Sequence, residues 1–154
     1  MTNWLDQEQQ AVWRAWLSAT TLLPEQLGRD LQCDSDLTNA DYQILVHLSE
    51  AHDRRVRMSE LAERTLSSRS RLSHQIDRME NAGLVTRELC AVDRRGSFAV
   101  LTDKGWDLLV SAAPAHVESV RRHLVDVLTP EEFAALGNAC TKVSNHLKSL
   151  AVEP

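Results

Sequence analysis

The amino-terminal part of the chain carries apolar residues at helical spacing. Steps of three and four residues place five of them on one face of a helix predicted over residues 4–32: Val12, Trp16, Ala19, Leu23 and Leu27. Pro24 falls inside this helix, lacks an amide proton and has a ring that collides with the preceding turn. We therefore expect a kink or a break near Leu23.

The second predicted helix spans residues 39–50. Thr38 is a typical N-cap, and Asp41 three residues later can return a hydrogen bond to the cap, as in a capping box. The apolar spacing predicts one buried face, which consists of Tyr42, Leu45 and Leu48.

Two short helices are predicted after a polar stretch at residues 51–57. The first covers 58–65 and buries Leu61 and Ala62. The second covers 69–82 and buries Leu72, Ile76 and Met79. Ser67 or Ser68 caps this second helix, and Gly83 ends it in the position that favours a left-handed residue.

The extended segments 84–89 and 97–101 flank the polar turn Asp93-Arg94-Arg95-Gly96, which predicts a β-hairpin. A long helix over 103–127 follows, with Pro114 as a possible kink. Thr129-Pro130-Glu131-Glu132 then starts a last helix. This helix has a heptad stripe that suits packing against other helices: Phe133, Leu136, Cys140, Val143, Leu147 and Leu150.

The order helix, turn, helix and hairpin is that of a winged helix-turn-helix, so we expect a mainly α (α+β) fold. The second helix of such a pair is the one that enters the major groove of DNA. Its positions outside the predicted core are rich in hydrogen-bond donors: Ser67, Ser68, Arg69, Ser70, Arg71, Ser73, His74, Gln75 and Arg78. Arginine and glutamine can bond guanine and adenine edges, and serine suits phosphates.

The charge of the chain is unevenly distributed. The 154 residues carry a formal net charge of −5, which taken alone argues against nucleic-acid binding. Residues 54–104, however, contain 11 basic and 7 acidic side chains, a balance of +4, and the remainder has a balance of −9. The local field at the phosphates decides affinity for DNA, so the basic middle is compatible with binding.

Three stretches resemble the MarR family of bacterial transcriptional regulators: Met58-Ser-Glu-Leu-Ala-Glu-Arg, Ser68 to Val85, and Asp93-Arg-Arg-Gly with Val100-Leu-Thr-Asp-Lys-Gly105. The resemblance implies one domain over 1–154, a DNA-binding region at 38–104, and dimerisation helices at 4–32 and 103–151. It further implies a homodimer, control by a small, often aromatic, acid, and binding to a pseudo-palindromic double-stranded operator, most simply as a repressor.

The resemblance also assigns roles to residues at matching positions. Seven would face DNA from the recognition helix: Ser68, Arg69, Ser70, Arg71, Ser73, His74 and Arg78. Arg94 would reach the minor groove, and an ion pair between Asp93 and Arg95 would hold the wing. The chain departs from the pattern at Leu66, where many helix-turn-helix proteins have glycine, and at Arg71, where a smaller residue is usual.

The unusual number of tryptophans bears on a ligand site. Trp13, Trp16 and Trp106 lie where the family has its pocket walls, and Arg14 and His47 could pair with an acidic ligand. The structural alternative is that these aromatic residues pack in the core or the dimer interface.

Other kinds of chemistry have little support in the sequence. His116 and His123 share a helix face without the further ligands that a metal needs, and we expect no cofactor and no enzymatic site. Among the cysteines, Cys140 is expected to be buried, and Cys90 or Cys33 would be the thiol of a redox-sensing regulator. A protein-interaction module is another alternative. Without a signal or membrane segment, a cytoplasmic location is expected.

Overall fold

The computed structural model describes residues 1–90 and 96–150, which form six helices and a small sheet. The helices are α1 (Gln7–Ser35), α2 (Asn39–Ser49), α3 (Met58–Arg64), α4 (Arg69–Asn81), α5 (Asp103–His123) and α6 (Pro130–Leu150). The strands are β1 (Arg55–Arg57), β2 (Val85–Leu89) and β3 (Ser97–Leu101). The predicted mainly α fold with a helix-turn-helix and a hairpin is confirmed.

Helix α1 continues through Pro24, so of the kink or break expected near Leu23 the break does not occur. A proline removes only one intrahelical hydrogen bond, and a helix of 29 residues retains the bonds on either side of it. The carbonyl of Pro24 also accepts a bond of 2.7 Å from the Asn39 side chain of α2. Helix α5 likewise continues through Pro114.

The capping signals read from the sequence are confirmed in the winged region. The Thr38 hydroxyl accepts from the backbone amide of Asp41 at 3.1 Å, and the Asp41 carboxylate accepts from the Thr38 amide at 3.2 Å. Of the two predicted caps of α4, Ser68 is the one that accepts, from the amide of Arg71 at 3.2 Å. Gly83 follows α4 with a φ of +75°.

The hydrophobic core lies among α2, α3, α4, the sheet and the first part of α5. It includes every apolar residue predicted for α2, α3 and α4: Tyr42, Leu45, Leu48, Leu61, Ala62, Leu72, Ile76 and Met79. Full burial of a leucine, isoleucine or methionine side chain contributes about 1.5–3 kcal/mol, so this cluster fixes how α4 is presented.

The sheet contains a strand that the sequence did not reveal. Its order is β1-β3-β2 with antiparallel pairing, and Val56 of β1 lies opposite Ala99 of β3. Val56 is the buried residue of β1, and Arg55 and Arg57 on either side of it are half-buried. One buried valine between two arginines shows too little alternation to be recognised as a strand from the sequence.

The chain divides into two compact units, residues 1–116 and 117–154, with the boundary inside α5. In the second unit α5 ends at His123, four residues before the predicted end, and α6 starts with the predicted capping box between Thr129 and Glu132. Most of the heptad stripe on α6 is exposed in the single chain: Phe133, Val143, Leu147 and Leu150. In the first unit, the apolar residues of the amino-terminal half of α1 are also exposed.

Candidate nucleic-acid interface

Helix α4 presents a polar face opposite its buried face. Leu72, Ile76 and Met79 anchor it in the core, and the exposed positions include six of the predicted DNA-facing residues: Ser68, Arg69, Ser70, Arg71, His74 and Arg78. The positive end of the helix dipole adds to the cationic character of the first turn. This face therefore combines base-edge donors with groups that suit phosphates.

The turn between α3 and α4 has a leucine in a left-handed conformation. Leu66 has a φ of +52°, and its side chain is 82% exposed. The amide of Ser67 donates to the carbonyl of Ala62 at 2.9 Å, and that of Leu66 to Glu63 at 3.2 Å, the paired bonds of a Schellman motif. Leu66, at a position where many helix-turn-helix proteins have glycine, thus adopts the left-handed conformation that glycine favours.

Ser73 lies on the side of α4 that faces the wing, which is formed by strands β2 and β3. It is half-buried, and Arg87 of β2 donates to both its carbonyl, at 2.9 Å, and its hydroxyl, at 3.1 Å. Arg87 also pairs with the carboxylate of Asp77, and its backbone amide donates to Glu80 at 2.8 Å. Contacts from α4 therefore hold β2 in place, and a DNA contact by Ser73 stays a prediction.

Arg78 and Gln75 are tied to the neighbouring helix α2. The Oδ1 atom of Asp41 accepts from Arg78 Nη2 at 2.8 Å and from Gln75 Nε2 at 3.1 Å. The sequence identified Asp41 only as a capping residue, because nothing in a linear pattern shows that its second oxygen reaches α4.

A cleft of about 580 Å³ separates the start of α3, the side of α4 and the wing strands. Guanidinium and hydroxyl groups dominate its polar lining: Arg57, Ser59, Arg69, Ser73, Arg87 and Ser97. Such donors bind phosphate oxygens well. The predicted wing residues Asp93, Arg94 and Arg95 lie outside the described residues.

The residues proposed for a ligand pocket have different environments. Trp13, which is 51% exposed, Arg14 and Trp16 are all exposed on α1. His47 is half-buried on α2. Trp106 packs against the core, with the Arg54 guanidinium 4.2 Å from its ring centroid. This packing favours the structural alternative for Trp106.

The three cysteines all lie within the described residues and are not joined to one another by disulfides. Cys33 is exposed, and Cys140 is half-buried rather than buried as expected. Cys90, at the end of β2, accepts from Arg57 Nη2 at 3.5 Å, which places a cation beside the thiol.

No group of His, Cys, Asp and Glu able to hold a metal ion occurs within residues 1–90 and 96–150. Within the same residues, no helix is long and apolar enough to cross a membrane.

His116 of α5 packs against Tyr42 of α2. The ring centroids are 4.2 Å apart, and the planes are tilted by 43°. Burial lowers the pKa of the His116 imidazole and raises the pKa of the Tyr42 phenol, so both groups are held neutral near pH 7.

This pair predicts a pH-dependent loss of stability. The unfolded chain has an ordinary imidazole, with a pKa of about 6.5, and binds a proton at higher pH than folded His116 does. Stability is therefore fully present above about pH 6.5 and falls as the pH drops from there toward the lowered pKa. Urea unfolding at a series of pH values measures this effect. His116→Phe, which keeps an aromatic ring, should flatten the profile, and an unchanged slope would contradict the assignment.

A short helix pair with a capped, cationic second helix, followed by an antiparallel wing, defines a winged helix-turn-helix protein. The model of the MarR family matches residues 35–96. The transcriptional regulator HosA of Escherichia coli O157:H7 is 33% identical over 110 residues, which cover 71% of this chain and 79% of HosA. The chain belongs to the MarR family of transcriptional regulators.

Two solved structures from Streptomyces coelicolor are similar over nearly the whole chain. AbsC, a MarR family transcriptional regulator, has 51% sequence identity and a TM-score of 0.92, covering 96% of this chain and 99% of its own. Sco3205, a MarR family regulator crystallised in complex with DNA, has 45% identity and a TM-score of 0.93, covering 96% of this chain and 92% of its own. Proteins of this family are DNA-binding regulators and not enzymes.

Proposed function

We propose that the protein is a homodimeric repressor that binds a pseudo-palindromic operator and is released from it by a small ligand such as an aromatic acid. The exposed donor-rich face of α4 is the observation that carries the DNA-binding part. The similarity to Sco3205, which was crystallised with DNA, supports it. The exposed apolar residues of α1 and α6 support association of two copies. Two copies would read half-sites about one helical turn apart.

Arg71→Ala tests the interface directly. Arg71 is exposed on α4, and loss of an arginine contact to a base or phosphate costs about 1–3 kcal/mol, so operator affinity should fall about 5- to 150-fold. The measurement is titration of a labelled fragment from the DNA flanking the gene, at several salt concentrations. Arg29→Ala, an exposed arginine of α1, is the matched control and should bind as the parent does. Equal affinity of the Arg71 variant and the parent would refute the docking arrangement.

The mode of release is tested with the same fragment. Aromatic acids should displace the parent protein, and substitutions at Trp13 or Trp16 should weaken that response. The alternative is release by oxidation of Cys90, which the nearby Arg57 guanidinium favours. This alternative would be selected if peroxide released the parent protein from the fragment, if Cys90→Ser abolished that release, and if no acid had any effect.

A further inference from the structure

We propose that Asp41 is a positioning residue that sets base-pair discrimination by α4, an inference that rests on the proposed DNA-binding function. Asp41 belongs to α2 and lies beneath α4. It is only 7% exposed, yet its carboxylate accepts hydrogen bonds from side chains of both helices.

The two side chains of α4 that Asp41 holds have base-reading chemistry. Arginine can bond the O6 and N7 atoms of guanine, and glutamine can bond adenine, in each case with two parallel hydrogen bonds. Arg78 and Gln75 both donate to the Oδ1 atom of Asp41, at 2.8 and 3.1 Å. Arg78 nevertheless remains 61% exposed, so part of its guanidinium group faces solvent.

The carboxylate itself is fixed from the other side. Its Oδ2 atom accepts from the Thr38 hydroxyl at 2.7 Å and from the Thr38 amide at 3.2 Å. These bonds belong to the capping box of α2, and Tyr42 and Leu45 anchor that helix in the core. Asp41 therefore cannot follow a moving arginine, and the orientations of Arg78 and Gln75 are set before DNA arrives.

The negative charge of Asp41 has a second consequence for binding. Sequence-independent affinity depends on the cations available to phosphates, and the carboxylate offsets part of the Arg78 charge. Directional bonds to a base edge lose much less, because the guanidinium group still donates from its exposed side. Asp41 thus lowers non-specific affinity and leaves specific recognition in place, which increases the ratio between them.

Asp41→Asn in the full-length chain tests the proposal. Affinity is measured for the operator and for the same fragment with scrambled half-sites, each over a range of salt. We expect the ratio of the two affinities to fall about tenfold, while scrambled DNA binds as well as before or better. The salt slope should steepen by about one for each freed arginine that gains a phosphate. Asp6→Asn is the matched control: it makes the same change in the capping box of α1, where Asp6 pairs with Gln9, so the ratio should not change.

Equal loss of affinity for both fragments in Asp41→Asn would show a merely structural role and overturn the proposal. An unchanged ratio would overturn it too. Arg78→Lys provides a test that does not depend on the folding of the Asp41 variant. Lysine keeps the charge but not the planar fork, so discrimination at the base pair it reads should fall at constant salt slope. A parent protein that does not discriminate operator from scrambled DNA would refute the proposed function as well.

Discussion

Gly105→Ala should destabilise the protein by about 3 kcal/mol, a large effect for the addition of one methyl group. Gly105 is buried at the start of α5, where that helix packs against the wing. An added Cβ would overlap the carbonyl oxygen of Leu84 and lie 2.7 Å from Leu101 Cδ1. The Leu84 carbonyl also accepts from the amide and the hydroxyl of Thr102, so it cannot move without disturbing both bonds. Denaturant unfolding followed by circular dichroism measures the loss.

Gly137→Ala is the matched control for this change. Gly137 lies within α6, and among the described residues nothing outside its chain neighbours and the helix's own backbone lies within 4 Å of an added Cβ. The same substitution should here stabilise by about 1 kcal/mol, since alanine is the better helix former. If both variants shift stability in the same direction, the close contact of α5 with Leu84 is not what constrains Gly105.

Arg87→Met should weaken both the fold and operator binding. The change leaves the half-exposed Asp77 carboxylate of α4 without its arginine partner and removes two bonds to Ser73. Breaking hydrogen bonds to a charged group costs about 1.5–3 kcal/mol. Operator affinity should fall about tenfold, because the unpaired carboxylate repels phosphates and α4 loses its contacts with β2. Thermal unfolding and DNA titration measure the two effects separately.

The double variant Asp77→Asn with Arg87→Met separates charge from geometry. Without the stranded carboxylate, part of the lost affinity should return. Arg64→Met is the control for the loss of stability. It removes an exposed ion pair with Glu60 on α3 and should change stability by only a few tenths of a kcal/mol. Identical affinities for the single and the double variant would show that the Asp77 charge has no part in the loss.

Most of the fold could be predicted from local signals. Helices are predicted from apolar residues at steps of three and four and from capping residues such as Thr38, Ser68 and Thr129. Both signals involve only neighbours within a few residues, and these predictions are confirmed. The effect of Pro24 could not be predicted in this way. Whether a helix breaks at a proline depends on the bonds around it and on what packs nearby, here the Asn39 side chain.

The sequence predicts which helix face forms the candidate interface, but it predicts less well what each residue of that face contacts. The sequence identifies Arg69, Arg71 and His74 as exposed donors, and the structure places them so. It does not show that Asp41 holds Arg78, because the two residues are 37 positions apart and meet only once α2 packs on α4. The pairing of Arg87 with Asp77, which are ten residues apart, likewise forms only once β2 packs on α4.

Leu66 has a consequence for the entropy of the chain. A left-handed leucine costs about 1–2 kcal/mol in the folded protein, and the side chain there is exposed, so burial does not offset this cost. A glycine would relieve the conformation but would leave the unfolded chain about 0.5–1 kcal/mol more conformational freedom to lose. The two terms oppose each other, so the net cost of leucine to stability is about 0–1.5 kcal/mol. What the leucine changes is stiffness: its Cβ narrows the range of backbone angles in the turn, and α4 has fewer orientations available relative to α3.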